Sequence, residues 1–224
     1  MTSLLASDLT VLAWDDTAGK PAWRGASTLR TGIAGALLLD AVLTEAVQVD
    51  DGRVVVTGRA DEPLLQEVVD IVAAYRRPPK VSSAVQRLAT GKRQRAVVDR
   101  LLTEGVLRSE QQRVLGIFPV TRHPMVATEA AAQLRTQVTE LLTGRSDADL
   151  VDDRLVMLAA LAGSSSLVDG LVDRGERREA KRRAKRFGEG DGISPAVREA
   201  IQAAQAATVA VIAAGGAAAS SSSN

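Results

Sequence analysis

The side chains best suited to hold a ligand are cations. Lys92, Arg93 and Arg95 stand in "TGKRQRAVVDRLLTEG", where Val97, Val98, Leu101 and Leu102 recur at helical spacing. Arginine offers a phosphate planar paired donors, and lysine offers a point charge. Free backbone N–H groups at a helix start add to the pull on an anion. Lys92 and Arg95, three residues apart, share a helix face turned away from Val97 and Leu101. A phosphorylated anion is the ligand such a set suits. The other reading is a solvated helix face, with Arg95 paired to Asp99 four residues on. Trp23 carries a ring that fits the headgroup depth of a bilayer; equally, it closes the end of an aromatic-poor core.

The most basic stretch is "RGERREAKRRAKR", Arg174 to Arg186, with eight cations against two glutamates for a net +6. It shows no apolar face, so it meets an anionic membrane or nucleic acid by charge alone, or else is a solvated helix. His123 is the single histidine and lacks the second His or Cys a metal or base would need, so "RHP" reads as an exit turn. Asp147, Asp149, Asp152 and Asp153 crowd the start of a helix, where carboxylates cap and offset the dipole. The "GEGDG" stretch is too acidic to cradle phosphate. No nucleophile elbow, P-loop or dinucleotide fingerprint occurs. These observations point to a protein that is not an enzyme, with no cofactor and no metal.

The elements that must position these groups belong to a chain of 224 residues, a length that suits one domain. Hydrophobic residues make up 46% but aromatics only 2%, so the core is built from Leu, Val, Ile and Ala. Cysteine is absent, which excludes disulfides and thiolate metal sites. A net charge of +1 steers the chain to no partner, so local charge must do so. The Ala- and Arg-rich, Lys-poor composition suggests a high-GC bacterial source. No leader is legible, and the run "GIAGALLLDAVL" is broken by Asp40 and too short to span a bilayer. The expectation is a cytoplasmic protein.

Val11, Leu12 and Trp14 predict a strand or short helix, with a turn at Gly19. Residues 28–46 predict a helix capped by Ser27 or Thr28, apolar all round and therefore central. Asp51-Gly52 between β-branched runs predicts a hairpin. Helices follow over "DEPLLQEVVDIVAAYR", Ser82–Leu88 and Lys92–Glu104, then a second hairpin over "VLRSEQQRVLGIFPVT". Further helices run from Thr128 to Gly144, from about Ser146 or Asp147 to Gly163, over "SSSLVDGLVD", over "REAKRRAKRF", and from Ser194 to about Ala214. "LTEAVQVDDGRVVV" from Leu43 and "LTEGVLRSEQQRVLG" from Leu102 mark one helix–hairpin unit written twice. The fold expected is mainly α, a single-domain helical bundle over residues 1–214 around a buried central helix, with two small β-hairpins and a flexible tail at 215–224.

In order and spacing, "LLLDAVLTEAVQV", "KRQRAVVDRLLTEGVLRSEQQRVLGIFPVTRHP" and "DADLVDDRLVMLAALAGSSSLV" resemble the Golgi phosphoprotein family. "AKRRAKRF" before "ISPAVREAIQAAQAATVAVIAA" is similar to its closing helices. The resemblance implies a peripheral membrane adaptor that binds phosphatidylinositol 4-phosphate or a bacterial equivalent in a shallow basic pocket. Its implied headgroup set is Trp23, Arg30, Lys92, Arg93 and Arg95. Ala34, Gly91 and Gln94 occupy the places of the family's arginines. Arg30 lies one turn before Ala34, and Lys92 and Arg95 keep the pair's spacing one place later. The implied partners are an anionic phospholipid surface at the inner face of the membrane, protein cargo, and further copies through Val114, Leu115, Ile117 and Phe118 of the second hairpin. The rival reading is a winged-helix nucleic-acid binder, disfavoured because the returning strand "VLGIFPV" is apolar where a wing presents cations.

Overall fold

The computed structural model describes residues 3–16, 18–21, 26–114 and 118–189. The fold is mainly α, as expected. Its centre is α2 (Ala26–Leu43), in which every residue from Leu29 to Ala41 except Arg30 is buried. A helix with almost no solvent face must be covered on all sides. Its cover is α1 (Leu5–Leu12), α3 (Pro63–Ala73), α4 (Val81–Leu88), α5 (Gly91–Thr103) and α7 (Asp153–Ser164). Helices α6 (Thr128–Thr143) and α9 (Arg177–Glu189) pack against α7 and each other, with the short α8 (Val168–Leu171) beside α9. Leu, Val, Ile and Ala fill the main cluster, and Phe187 is its one aromatic among the described residues.

The stretch around Val11 divides. Val11 and Leu12 end α1, while Trp14 opens a two-residue strand, β1 (Trp14–Asp15), paired with β2 (Lys20–Pro21). The Trp14 indole Nε1 donates to the His123 carbonyl at 2.8 Å, and the His123 N–H donates to the Gly19 carbonyl at 2.8 Å. The lone histidine thus sits in the exit turn, and its backbone ties that turn to the N-terminal ribbon.

The helix–hairpin unit is present twice. α2 leads into β3 (Val47–Asp50) and β4 (Arg53–Val56); α5 leads into β5 (Glu110–Val114) and β6 (Phe118–Arg122). Both helices end in the same six-to-one closure, Ala46 N–H to Ala41 carbonyl and Val106 N–H to Leu101 carbonyl. This alignment is one residue out of step with the sequence match. The left-handed position falls on Glu45 (φ 57°) in the first copy and on Gly105 (φ 73°) in the second. The hairpins also differ in use. The first buries Val47 and Val54 and donates from Val54 N–H to the Pro79 carbonyl, so it covers the core. In the second, Gln111, Val120 and Thr121 are exposed. Val114 and Phe118 close its ladder as Cα partners. Leu115, Ile117, Trp23, the helix expected from Ser194 and the tail lie outside the described residues.

Two expectations are corrected. The helix expected from Ser146 or Asp147 begins only at Asp153. A 3₁₀ turn at Ala148–Leu150 precedes it, and extended backbone at Val151 and Asp152 separates the two. Each piece has its own cap, Asp147 accepting from Asp149 N–H and Asp152 from Arg154 N–H. Gly163 does not end that helix but lies within it, and a Cβ there would come within 2.5 Å of the Ala184 Cβ. The basic helix α9 does have an apolar face: Ala180, Ala184 and Phe187 are buried. At intervals of four and three residues they form one stripe, inconspicuous because two of the three are alanines.

Candidate functional site

The chain turns sharply between α4 and α5, and Thr90 caps the start of α5. Arg93 braces that corner. Its Nη1 donates to the Thr90 Oγ1 at 2.9 Å and to the last carbonyls of α4, Arg87 at 3.2 Å and Leu88 at 3.4 Å. Its Nη2 reaches Glu67 of α3 at 3.4 Å, and the side chain is only 12% exposed. A cation at a helix C-terminus satisfies orphan carbonyls and opposes the dipole's negative end. Arg93 is therefore mainly a brace, a role that sequence spacing alone does not reveal.

Lys92 shares the same carboxylate, with Nζ 2.9 Å from Glu67, but its side chain is 80% exposed. Arg95 is exposed and makes no ion pair among the described residues; the pairing with Asp99 is not formed. Arg87, at the end of α4, lies over the Tyr75 ring at 5.3 Å. The opening of α5 thus carries three cations, two of which, Lys92 and Arg93, share one carboxylate. Such charges oppose the positive end of the helix dipole, so the helix gains nothing from them locally.

Arg30, in the first turns of α2, is exposed and also makes no ion pair among the described residues. It points away from the end of α7: Thr28 and Gly32, two positions to either side and so on the opposite face of the helix, are the ones that meet it, Thr28 Oγ1 donating to the Ser165 carbonyl at 3.2 Å and Gly32 lying against Ser165. Direct contacts join Lys92 and Arg93 through Glu67, while Arg30 and Arg95 stand apart from that pair.

A cleft of about 710 Å³ lies elsewhere. It is walled by α2, α3, α5, α7 and the residues just before α1, and lined by Asp40, Asp61, Glu62, Asp152 and Asp153 with Arg100 and Arg154. None of Arg30, Lys92, Arg93 or Arg95 lines it. Its arginines are already engaged, Arg100 by Glu62 and Glu104 and Arg154 by Asp8 at 2.8 Å. Its surplus of carboxylates repels a phosphate. Asp40, unremarked in the sequence except as a break in an apolar run, sits at its floor, 3% exposed. Its oxygens accept from the Leu5 and Ala6 N–H groups at 2.9 and 3.2 Å and so cap α1 from another helix. Burial pushes its carboxyl up to about 6, against the pull of those N–H groups and of Arg154; Asp8 pushes the same way as burial.

Among the described residues no group of acids and histidine is arranged to hold a metal, and no helix is long and apolar enough to cross a membrane. Residues 5–204 match the family model described as Golgi phosphoprotein 3 (GPP34). No curated protein matches the chain significantly.

Proposed function

Because the chain belongs to the Golgi phosphoprotein 3 family, a family of non-enzymatic adaptors, we propose that it docks peripherally on membranes by holding an anionic phospholipid headgroup at the start of α5. The headgroup is phosphatidylinositol 4-phosphate or a bacterial equivalent. Lys92 and Arg95 contact the phosphate, and Arg93 holds the corner in place. The observation that carries this reading is the excess of cations over the single Glu67 carboxylate in a helix's first turns. The ion pair of Lys92 does not preclude it. An exposed pair is worth about 0.2–1 kcal/mol, so Lys92 can exchange Glu67 for a phosphate at small cost. Bound this way, the protein recruits further proteins to the inner face of the membrane.

Vesicle co-sedimentation tests the reading, with neutral phosphatidylcholine, phosphatidylcholine containing phosphatidylglycerol, and the same containing phosphatidylinositol 4-phosphate. Pelleting is expected with the anionic vesicles only. A basic residue at an anionic surface contributes about 1 kcal/mol, so Lys92→Glu/Arg95→Glu weakens binding of the phosphoinositide vesicles by at least about 30-fold. Pelleting with phosphoinositide vesicles that is indifferent to this double substitution refutes the proposal. Retarded duplex DNA at the same salt, without vesicle binding, favours the nucleic-acid reading instead.

A further inference from the structure

We infer that the outer face of α9 is a second docking surface for an anionic bilayer, one that reads surface charge rather than a particular headgroup. The inference rests on the membrane reading above but on different residues. Helix α9 is anchored by its inner face. Ala184 fits where Gly163 leaves no side chain, Phe187 is buried, and Arg183 is held inward, its Nε donating to the Leu141 carbonyl at 3.2 Å. What remains outside is charge: on α9 Arg178, Lys181, Arg182, Lys185 and Arg186 are exposed, against Glu179 and Glu189, and just before the helix Arg174 is exposed beside Asp173.

Some of these cations are engaged. Lys181 pairs with Asp169 at 2.8 Å, and Arg182 with Glu179. Arg174, Arg178 and Arg186 make no ion pair among the described residues. Arg178, Arg182 and Arg186 fall four residues apart, a row along the helix with a cation about every 6 Å. Like charges at that spacing repel and weaken a helix. Among the described residues Arg178 and Arg186 of this row have no ion-pair partner, and a complementary anionic surface would supply one.

The seating of α9 selects the occupant. Its alanine face lies flush on α7, so it does not project as a helix must to enter a major groove. A cationic row lying along the body suits a planar anionic surface, where contributions from separate residues accumulate.

The test is the triple variant Arg174→Gln/Arg178→Gln/Arg186→Gln in the full chain, with vesicles of phosphatidylcholine and phosphatidylglycerol lacking phosphoinositide. The three residues are exposed and make no ion pair among the described residues, so thermal unfolding should be unchanged. Each neutralised residue weakens partitioning about fivefold, and the three together about a hundredfold, with a shallower salt dependence. Lys92→Glu/Arg95→Glu serves as the companion. Loss in the triple variant, together with retained binding of phosphoinositide-free vesicles by the companion, supports the inference. A triple variant that pellets like the wild type overturns it; loss of the phosphoinositide preference in the companion then leaves the α5 reading standing. Wild-type protein that shifts DNA through these arginines but ignores vesicles overturns the bilayer as occupant.

Discussion

Asp40 offers a quantitative test of how this core is built. Its carboxylate sits 3% exposed under the first turn of α1 and is pushed from 3.8 up to about 6 by burial, despite the Leu5 and Ala6 N–H groups and Arg154. A raised carboxyl is held more tightly as the acid in the folded chain than in the unfolded one. Its contribution to stability is therefore fully present below about pH 4 and is lost as pH rises through about 6. At about 1.4 kcal/mol per pH unit, the interval corresponds to about 3 kcal/mol. The informative quantity is the difference between wild type and Asp40→Asn, which isolates this one group. Denaturant unfolding at a series of pH values measures it. Asn cannot ionise, so the wild-type advantage should shrink by up to about 3 kcal/mol between about pH 4 and 7. A flat difference, or one that grows in favour of wild type as pH rises, refutes the account of a charge buried at a cost and partly offset by capping.

Three further substitutions probe other joints. Glu45 occupies a left-handed position where the second copy of the unit has Gly105, so Glu45→Gly should stabilise by up to about 1 kcal/mol, read as a higher Tm. Gly163→Ala places a methyl about 2.5 Å from the Ala184 Cβ on a neighbouring helix; it should cost about 1–3 kcal/mol, and restoring space with Ala184→Gly should recover part of that. Arg93→Ala removes the brace on the α4 carbonyls and should cost about 1–3 kcal/mol in denaturant unfolding, whereas Lys92→Ala should cost under about 1 kcal/mol and show its effect in vesicle binding instead.

What was legible in the sequence follows from how local each signal is. Asp51-Gly52 fixes a hairpin turn through its own backbone, and both residues adopt positive φ. The apolar girdle of α2 announces burial, because a helix without a polar face has nowhere else to go. Non-local partners were not legible. Asp40 caps α1 across 35 positions of sequence, so an acid that reads as an interruption is in fact a joint. Arg93 reads as one of three equivalent cations until Glu67 and the α4 carbonyls come within its reach. The break at Asp152 was missed because aspartates suit both a helix interior's first turn and the cap before it.

The repeated helix–hairpin unit also bears on the nucleic-acid alternative. In a winged helix, α5 would lie in the groove and β5–β6 would flank the phosphates. The second half of α5 is unsuited to that role. Arg100 is only 12% exposed and is held between Glu62 and Glu104, whose charges raise its pKa further despite the burial that opposes them. Asp99 on the same helix and Glu104 at its C-terminal cap are exposed. A duplex laid along α5 would meet Lys92 and Arg95 at one end and carboxylates at the other. A small phosphorylated headgroup needs only the cationic end. The same gradient along one helix therefore opposes an extended polyanion and favours a compact one.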